Sequence, residues 1–278
     1  MIWLRIDRSN DTGVAMDLGL SNKVAVVLAG SAGIGRGIAT VLAEEGCRLA
    51  ICARDGERLT ASAEDIRTRT SASVLAFSAD VRDPKSLDRF FDAVFDTYGR
   101  VDILINNTGG PPVGRCLALG DEDYEAAFQL VLMSKIRACR RVVPSMSESR
   151  WGRIINIEST SVKSALENMV LSNVFRSAAA AFAKTLSMEH ARDGIRVHTL
   201  LSGPFMTNRV NELGEAAARQ RGILFDDWKA EAEAGTALGR FGDPLEYGAL
   251  VAFLVSDRAN YMNGTCIAID GGVLKTIT

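Results

Sequence analysis

Two histidines and four tyrosines are all this 278-residue chain has of those types, so few of its side chains can exchange a proton readily near neutral pH. Five cysteines (47, 52, 116, 139 and 266) form no CxxC pair, and no His/Cys/Asp cluster has metal-ligand spacing. A metal centre is therefore not expected, and the thiols fit reduced, structural cysteines of a cytoplasmic protein. The net charge of −2 gives the molecule no field that would draw it to nucleic acid or to an anionic membrane. No apolar run is long enough to span a bilayer, since "VLAEEGCRLAICA" is broken by two glutamates, a glycine and an arginine. Residues 1–15 lack the apolar core and cleavage site of a secretion signal. A flexible extension is expected there, ahead of a single domain over 16–278.

What is present is an alternation of two periodicities. Nearly continuous apolar runs occur at 23–30, 48–53, 74–80, 101–107, 153–159, 195–203 and 265–270, as in strands covered on both faces of a parallel sheet. Between them, apolar residues recur at three- and four-residue intervals, and glycine often follows the last turn. The expected fold class is α/β, one doubly wound Rossmann-type parallel sheet of about seven strands with helices on both faces. Residues 204–243, rich in Ala, Glu and Arg with a weak apolar pattern, suit a mobile lid over a substrate cleft.

The first strand runs through "LAGSAGIGRGIA" into a helix. Such a turn lets backbone amides approach a pyrophosphate, which rests on the helix N-terminus. Gly30, Ser31, Gly33, Ile34 and Gly35 are the candidate contacts, although Ile38 stands where the third glycine of G-x-G-x-x-G would fall. Beyond the second strand, Arg54 is the first polar residue. A guanidinium there suits the 2′-phosphate of NADP(H) better than the bare ribose of NAD(H), which stays possible. Asp55, one position on, reads as the start of the next helix.

These motifs resemble the short-chain dehydrogenase/reductase family over residues 16 to about 273. Its loop T-G-x-x-x-G-x-G is matched at Gly33 and Gly35, while Leu28 and Ala29 replace the threonine and first glycine. "NNTG" (106–109) is similar to the family's N-N-A-G. The resemblance implies cofactor contacts at Asn107, Gly109, Asp80 with Val81, Gly203, and Thr207 near the carboxamide. It also implies a serine, a Y-x-x-x-K pair and an asparagine for catalysis. Ser159 supplies the serine, but Ser172 and Arg176 stand at the Y-x-x-x-K positions and Val131 at the asparagine.

A serine hydroxyl is a far weaker acid than an activated phenol, and arginine keeps its proton. Arg176 could still hold a ribose hydroxyl. Within 157–176 there is no tyrosine, histidine or cysteine, and the best candidate acid is Lys163, four residues after Ser159. A lysine partly desolvated beside the fixed charge of Arg176 is placed to act as general acid while Ser159 polarises the same oxygen. Pairing of Lys163 with Glu158 or Glu167 would cancel that. Tyr98 and Tyr247 are expected to lie far from this region, and Tyr124 is the least excluded tyrosine. His190 and His198 read as structural.

The sequence thus points to an NADP(H)-dependent oxidoreductase acting on a carbonyl or alcohol of a small molecule. Two alternatives remain open: a dinucleotide-binding protein without turnover, or a lyase or isomerase in the same pocket. Long helices at 121–145 and 168–193, apolar on much of their surface, suit burial between subunits. The resemblance implies a homotetramer or homodimer.

Overall fold

The structure, a computed structural model, describes residues 16–277; the expected extension 1–15 lies outside them. Seven strands form one parallel sheet: β1 (Val24–Leu28), β2 (Arg48–Ala53), β3 (Val74–Ser78), β4 (Ile103–Asn106), β5 (Gly152–Ser159), β6 (Ile195–Ser202) and β7 (Cys266–Ile269). Their order is β3-β2-β1-β4-β5-β6-β7. The chain winds outward from β1 to β3, then returns to β4 and winds the other way. That reversal opens a crevice at the carboxyl ends of β1 and β4, where ligands bind in open α/β sheets.

The apolar runs form strands because both faces are covered. One layer, built on α1 (Gly33–Glu44) and α9 (Pro244–Val255), buries Val27, Ile51, Ile105, Ile155 and Leu200; the other, containing α3 (Pro84–Tyr98), buries Val26, Leu28, Leu104 and Ile154. β7 departs from the expected pattern. It is an edge strand whose Cys266 and Ala268 are exposed.

The long helix expected at 121–145 is not uniform. It comprises α4 (Asp121–Ala127), a π-helical turn (Phe128–Met133) and α5 (Ser134–Ser149). The wider turn carries Val131 into the core with no exposed surface. Such π turns are rare and concentrate at functional sites. The expected lid region folds as α7 (Asn208–Arg221) and α8 (Phe225–Ala234). Its base is closed by Met206 N donating to Gly242 O at 2.9 Å and Gly242 N to Pro204 O at 3.1 Å. All five cysteines are free thiols. Burial pushes those of Cys47, Cys52 and Cys139 up to about 12, so all three stay protonated.

Candidate active site

Every residue expected to meet a dinucleotide lies at the carboxyl edge of the sheet, in an order set by the strands. Asp80 follows β3, Arg54 follows β2, the glycine loop follows β1, Asn107 follows β4, Ser159 ends β5 and Gly203 follows β6. Arg54 and Ser159 are therefore separated by three strand spacings, about 14 Å. An extended ligand would bridge them across the crevice.

The loop has the close approaches that such a ligand demands. A Cβ on Gly35 would fall 2.3 Å from Ala29 O and 2.6 Å from Asn107 Nδ2, and one on Gly33 would meet Thr207 at 3.0 Å. Asn107 Nδ2 donates to Ala29 O at 3.3 Å, tying the loop to β4. Ala29 keeps the left-handed backbone (φ 49°) that a glycine would favour, at a cost of roughly 1 kcal/mol. Ala32, the N-cap of α1, caps no amide with its side chain, so the helix start offers its N–H groups to a ligand. The Thr108 hydroxyl, next along the chain from Asn107, is buried without a hydrogen-bond partner among the described residues. A polar group in that state calls for a ligand or water. Together the cradle, the open helix start and the orphaned hydroxyl fit a bound diphosphate.

Arg54 is exposed and makes no ion pair with Asp55 or Glu57 among the described residues. Asp55 instead caps α2 (Gly56–Thr70), accepting from Arg58 N at 3.0 Å. Asp80 is gripped by Arg82, whose Nη2 donates at 2.6 Å, and these hydrogen bonds hold its carboxyl below the usual range. Val81 is buried beside it. Gly203 must lack a side chain because Asp270 Cα lies 2.5 Å from where its Cβ would be. Thr207 caps α7 through Val210 N at 3.3 Å. Gly30 is fixed by its N–H to Cys52 O at 3.0 Å, whereas Gly109 lies in open space.

Ser159 closes β5 and caps a short 3₁₀ turn by accepting from Ser161 N at 3.1 Å, which leaves its own proton free to donate. Lys163 follows that turn, and neither Glu158 nor Glu167 pairs with it among the described residues; the partial desolvation expected of it is corrected, because its side chain stands exposed on the loop. Glu158 is occupied elsewhere: it is fully buried and accepts from Lys135 Nζ and, at 3.2 Å, from Arg176 Nη1. Both cations also reach Ile157 O, at 3.2 and 3.3 Å respectively. Arg176 Nε donates to Ser172 Oγ at 3.1 Å, and Ser172 Oγ lies 3.4 Å from Ser161 Oγ. The positions of the missing tyrosine and lysine thus hold a hydroxyl and a guanidinium bonded to each other above a buried Lys135–Glu158 pair. Burial is the main influence lowering the proton affinity of Lys135, with Arg176 adding to it and Glu158 opposing.

Sequence reasoning did not single out Lys135, and its signals were modest. It lies one turn beyond Val131, on the face that points at the site, and Glu158 is, with Arg153, one of two charges in a buried strand. The expectation for Tyr247 is corrected. Helix α9 folds beneath β6, and the Tyr247 hydroxyl accepts from Ser202 Oγ at 3.1 Å, with Ser202 in register beside Ser159. Complete burial pushes that phenol up, so it is a structural group and cannot reach substrate. Tyr124 spends its hydroxyl on Cys116 O at 3.0 Å. A cleft of about 440 Å³ opens between Gly114–Cys116 and Leu166–Asn173, walled by the loop that carries Lys163. None of the expected site residues lines it. Among the described residues no cluster of His, Cys, Asp or Glu could hold a metal, and no helix is long and apolar enough to cross a membrane.

This glycine cradle at the switch point of a parallel sheet defines a dinucleotide-binding oxidoreductase fold. A family model described as Enoyl-(Acyl carrier protein) reductase matches residues 28–274, and the chain belongs to the short-chain dehydrogenase/reductase family. It is 30% identical over 259 residues to NADPH-dependent reductase BacG of Bacillus subtilis, covering 93% of this chain and all of that one. Oxidoreductase UcpA of Salmonella typhimurium is 33% identical over 257 residues, covering 91% of this chain and 95% of the relative. Among solved structures, L-sorbose reductase from Gluconobacter frateurii, complexed with NADPH and L-sorbose, superposes with a TM-score of 0.91 at 31% identity, covering 94% of this chain and 100% of that chain.

Proposed function

We propose that this protein is an NADP(H)-dependent oxidoreductase that interconverts a carbonyl and an alcohol on a small molecule, using Ser159 and Lys163 where the family resemblance implies a phenol. The observation that carries the cofactor assignment is the exposed Arg54 guanidinium one residue beyond β2, without an ion pair among the described residues and in line with the Gly30–Gly35 cradle. Relatives described as NADPH-dependent or solved with NADPH support it. Bound there, the nicotinamide would supply hydride chemistry. The chain's own residues then have separate tasks. Arg54 receives the 2′-phosphate, the loop amides hold the diphosphate, and Asp80, Val81 and Asn107 border the adenosine and loop. Gly203 and Thr207 lie at the carboxamide end, and Arg176 orients a ribose. Ser159 donates a hydrogen bond to the substrate oxygen and Lys163 gives it a proton, being recharged from water.

A second reading, cofactor binding without turnover, is favoured by one observation: Ser172 and Arg176 are bonded to each other and to Glu158. A panel of aldehydes and ketones assayed by NADPH oxidation separates the two. Turnover that Lys163→Ala abolishes supports the first, and tight NADPH binding with no oxidation across the panel supports the second.

A further inference from the structure

A fully buried lysine and a fully buried glutamate stand directly beneath Ser172 and Arg176, the positions where the family resemblance implies a catalytic pair. Burying charges is costly unless they are matched, and here the matching is specific. Glu158 spreads its two oxygens, Oε1 to Lys135 and Oε2 to Arg176. With Oε1 occupied by the ammonium, the carboxylate cannot close on the arginine as a two-pronged pair. Arg176 consequently makes one contact to Glu158, keeps Nε on Ser172, and has Nη2 unbonded among the described residues. Three of the five guanidinium hydrogens in the fork, one on Nε and two on Nη1, are aimed by this arrangement, and those on Nη2 are left to face a ligand.

We propose that Lys135 is a positioning residue: by occupying one oxygen of Glu158 it keeps that carboxylate from capturing Arg176, so that the guanidinium stays on Ser172 with Nη2 directed to the nicotinamide ribose. The proposal rests on the cofactor reading above and assigns the ribose-holding task to a three-residue unit from three elements: α5, β5 and α6 (Val170–Glu189). Burial favours the neutral form of Lys135. Either form of the amine still donates to Oε1, so the positioning survives deprotonation.

The test is calorimetric and does not depend on turnover. Wild type, Lys135→Met, Arg176→Ala and the double variant are titrated with NADPH and, separately, with adenosine 2′,5′-bisphosphate, which carries the Arg54 end of the cofactor and no nicotinamide ribose. Lys135→Met is expected to weaken NADPH roughly tenfold while adenosine 2′,5′-bisphosphate stays within about twofold of wild type. On the Arg176→Ala background the same change is expected to add less than about twofold, since the effect runs through Arg176. Should Lys135→Met leave Glu158 uncompensated and fail to fold, Lys135→Met/Glu158→Leu removes both buried charges together. That chain is expected to fold and, with no carboxylate left to capture Arg176, to bind NADPH within about threefold of wild type. Equal weakening of both ligands, additive effects, NADPH affinity unchanged in folded Lys135→Met, or a loss of about tenfold retained in Lys135→Met/Glu158→Leu would overturn the proposal and leave the function standing. A wild type that binds neither ligand would remove the function, and this proposal with it.

Discussion

Adding one methyl group at Gly35 tests the cradle most locally. In Gly35→Ala the new carbon would sit 2.3 Å from Ala29 O and 2.6 Å from Asn107 Nδ2. Neither neighbour is the free end of a flexible side chain: one is backbone, and the other is held by its 3.3 Å bond to that same carbonyl. Relief requires the loop to open by about 1 Å. Overpacking of this kind costs about 1–3 kcal/mol, and breaking the Asn107 hydrogen bond adds about 1 kcal/mol. The combined penalty of about 2–4 kcal/mol corresponds to a fall in Tm of roughly 4–12 °C for a domain of this size. If the opened loop no longer meets the diphosphate, a loss of 2 kcal/mol on binding alone weakens NADPH by about thirtyfold. Gly56→Ala is the control, because nothing lies within 4 Å of its Cβ and it begins α2; it should be neutral or stabilising by up to about 1 kcal/mol. Thermal unfolding and NADPH titration of the two variants give the comparison. A Gly35→Ala protein that melts and binds like Gly56→Ala would refute the cradle.

Two further outcomes are expected. Lys163→Ala should lower kcat by at least about tenfold, whereas Ser172→Ala should change it by less than about threefold, as Ser172 is buried under Arg176 and offers no usable proton; equal, small effects in steady-state assays would remove Lys163 from the mechanism. His198 is buried, bonded through Nδ1 to Thr265 Oγ1 at 2.6 Å, and burial lowers it from 6.5 to about 4. The unfolded chain therefore binds the proton first as pH falls. Stability contributed by the neutral ring is fully present above pH 6.5 and is lost progressively down to about 4, by at most about 3 kcal/mol. Denaturant melts of His198→Asn should lack that part of the acid slope.

How much of this was legible in the sequence depended on whether a feature was local. The strands were, because burial on both faces demands uninterrupted runs such as "KVAVVLAG" and "RIINIES". The edge exposure of β7 was not, since an apolar edge strand and a central one read alike. The cradle was legible in Gly33 and Gly35, and even the substitution at Ala29 kept the backbone of the glycine it replaces. The positions of Ser172 and Arg176 followed from spacing, but their mutual bond and their anchor on Glu158 did not. Lys135 reads in "MSKIRACRR" as one more cation on a polar helix face; only the π turn and the approach of β5 show it to be buried. Tyr247 failed for the same reason, because separation along the chain says nothing of α9 folding back under β6.

The central claim is that the carboxyl edge of this sheet holds a dinucleotide with Arg54 on its 2′-phosphate. Titration of wild type and Arg54→Asp with NADPH and NADH at neutral pH examines it directly. The account predicts one site per chain, NADPH preferred by wild type, and that preference lost by at least about tenfold in the variant as the phosphate meets a carboxylate in place of a guanidinium. No heat with either coenzyme, or an unchanged preference in Arg54→Asp, would contradict it.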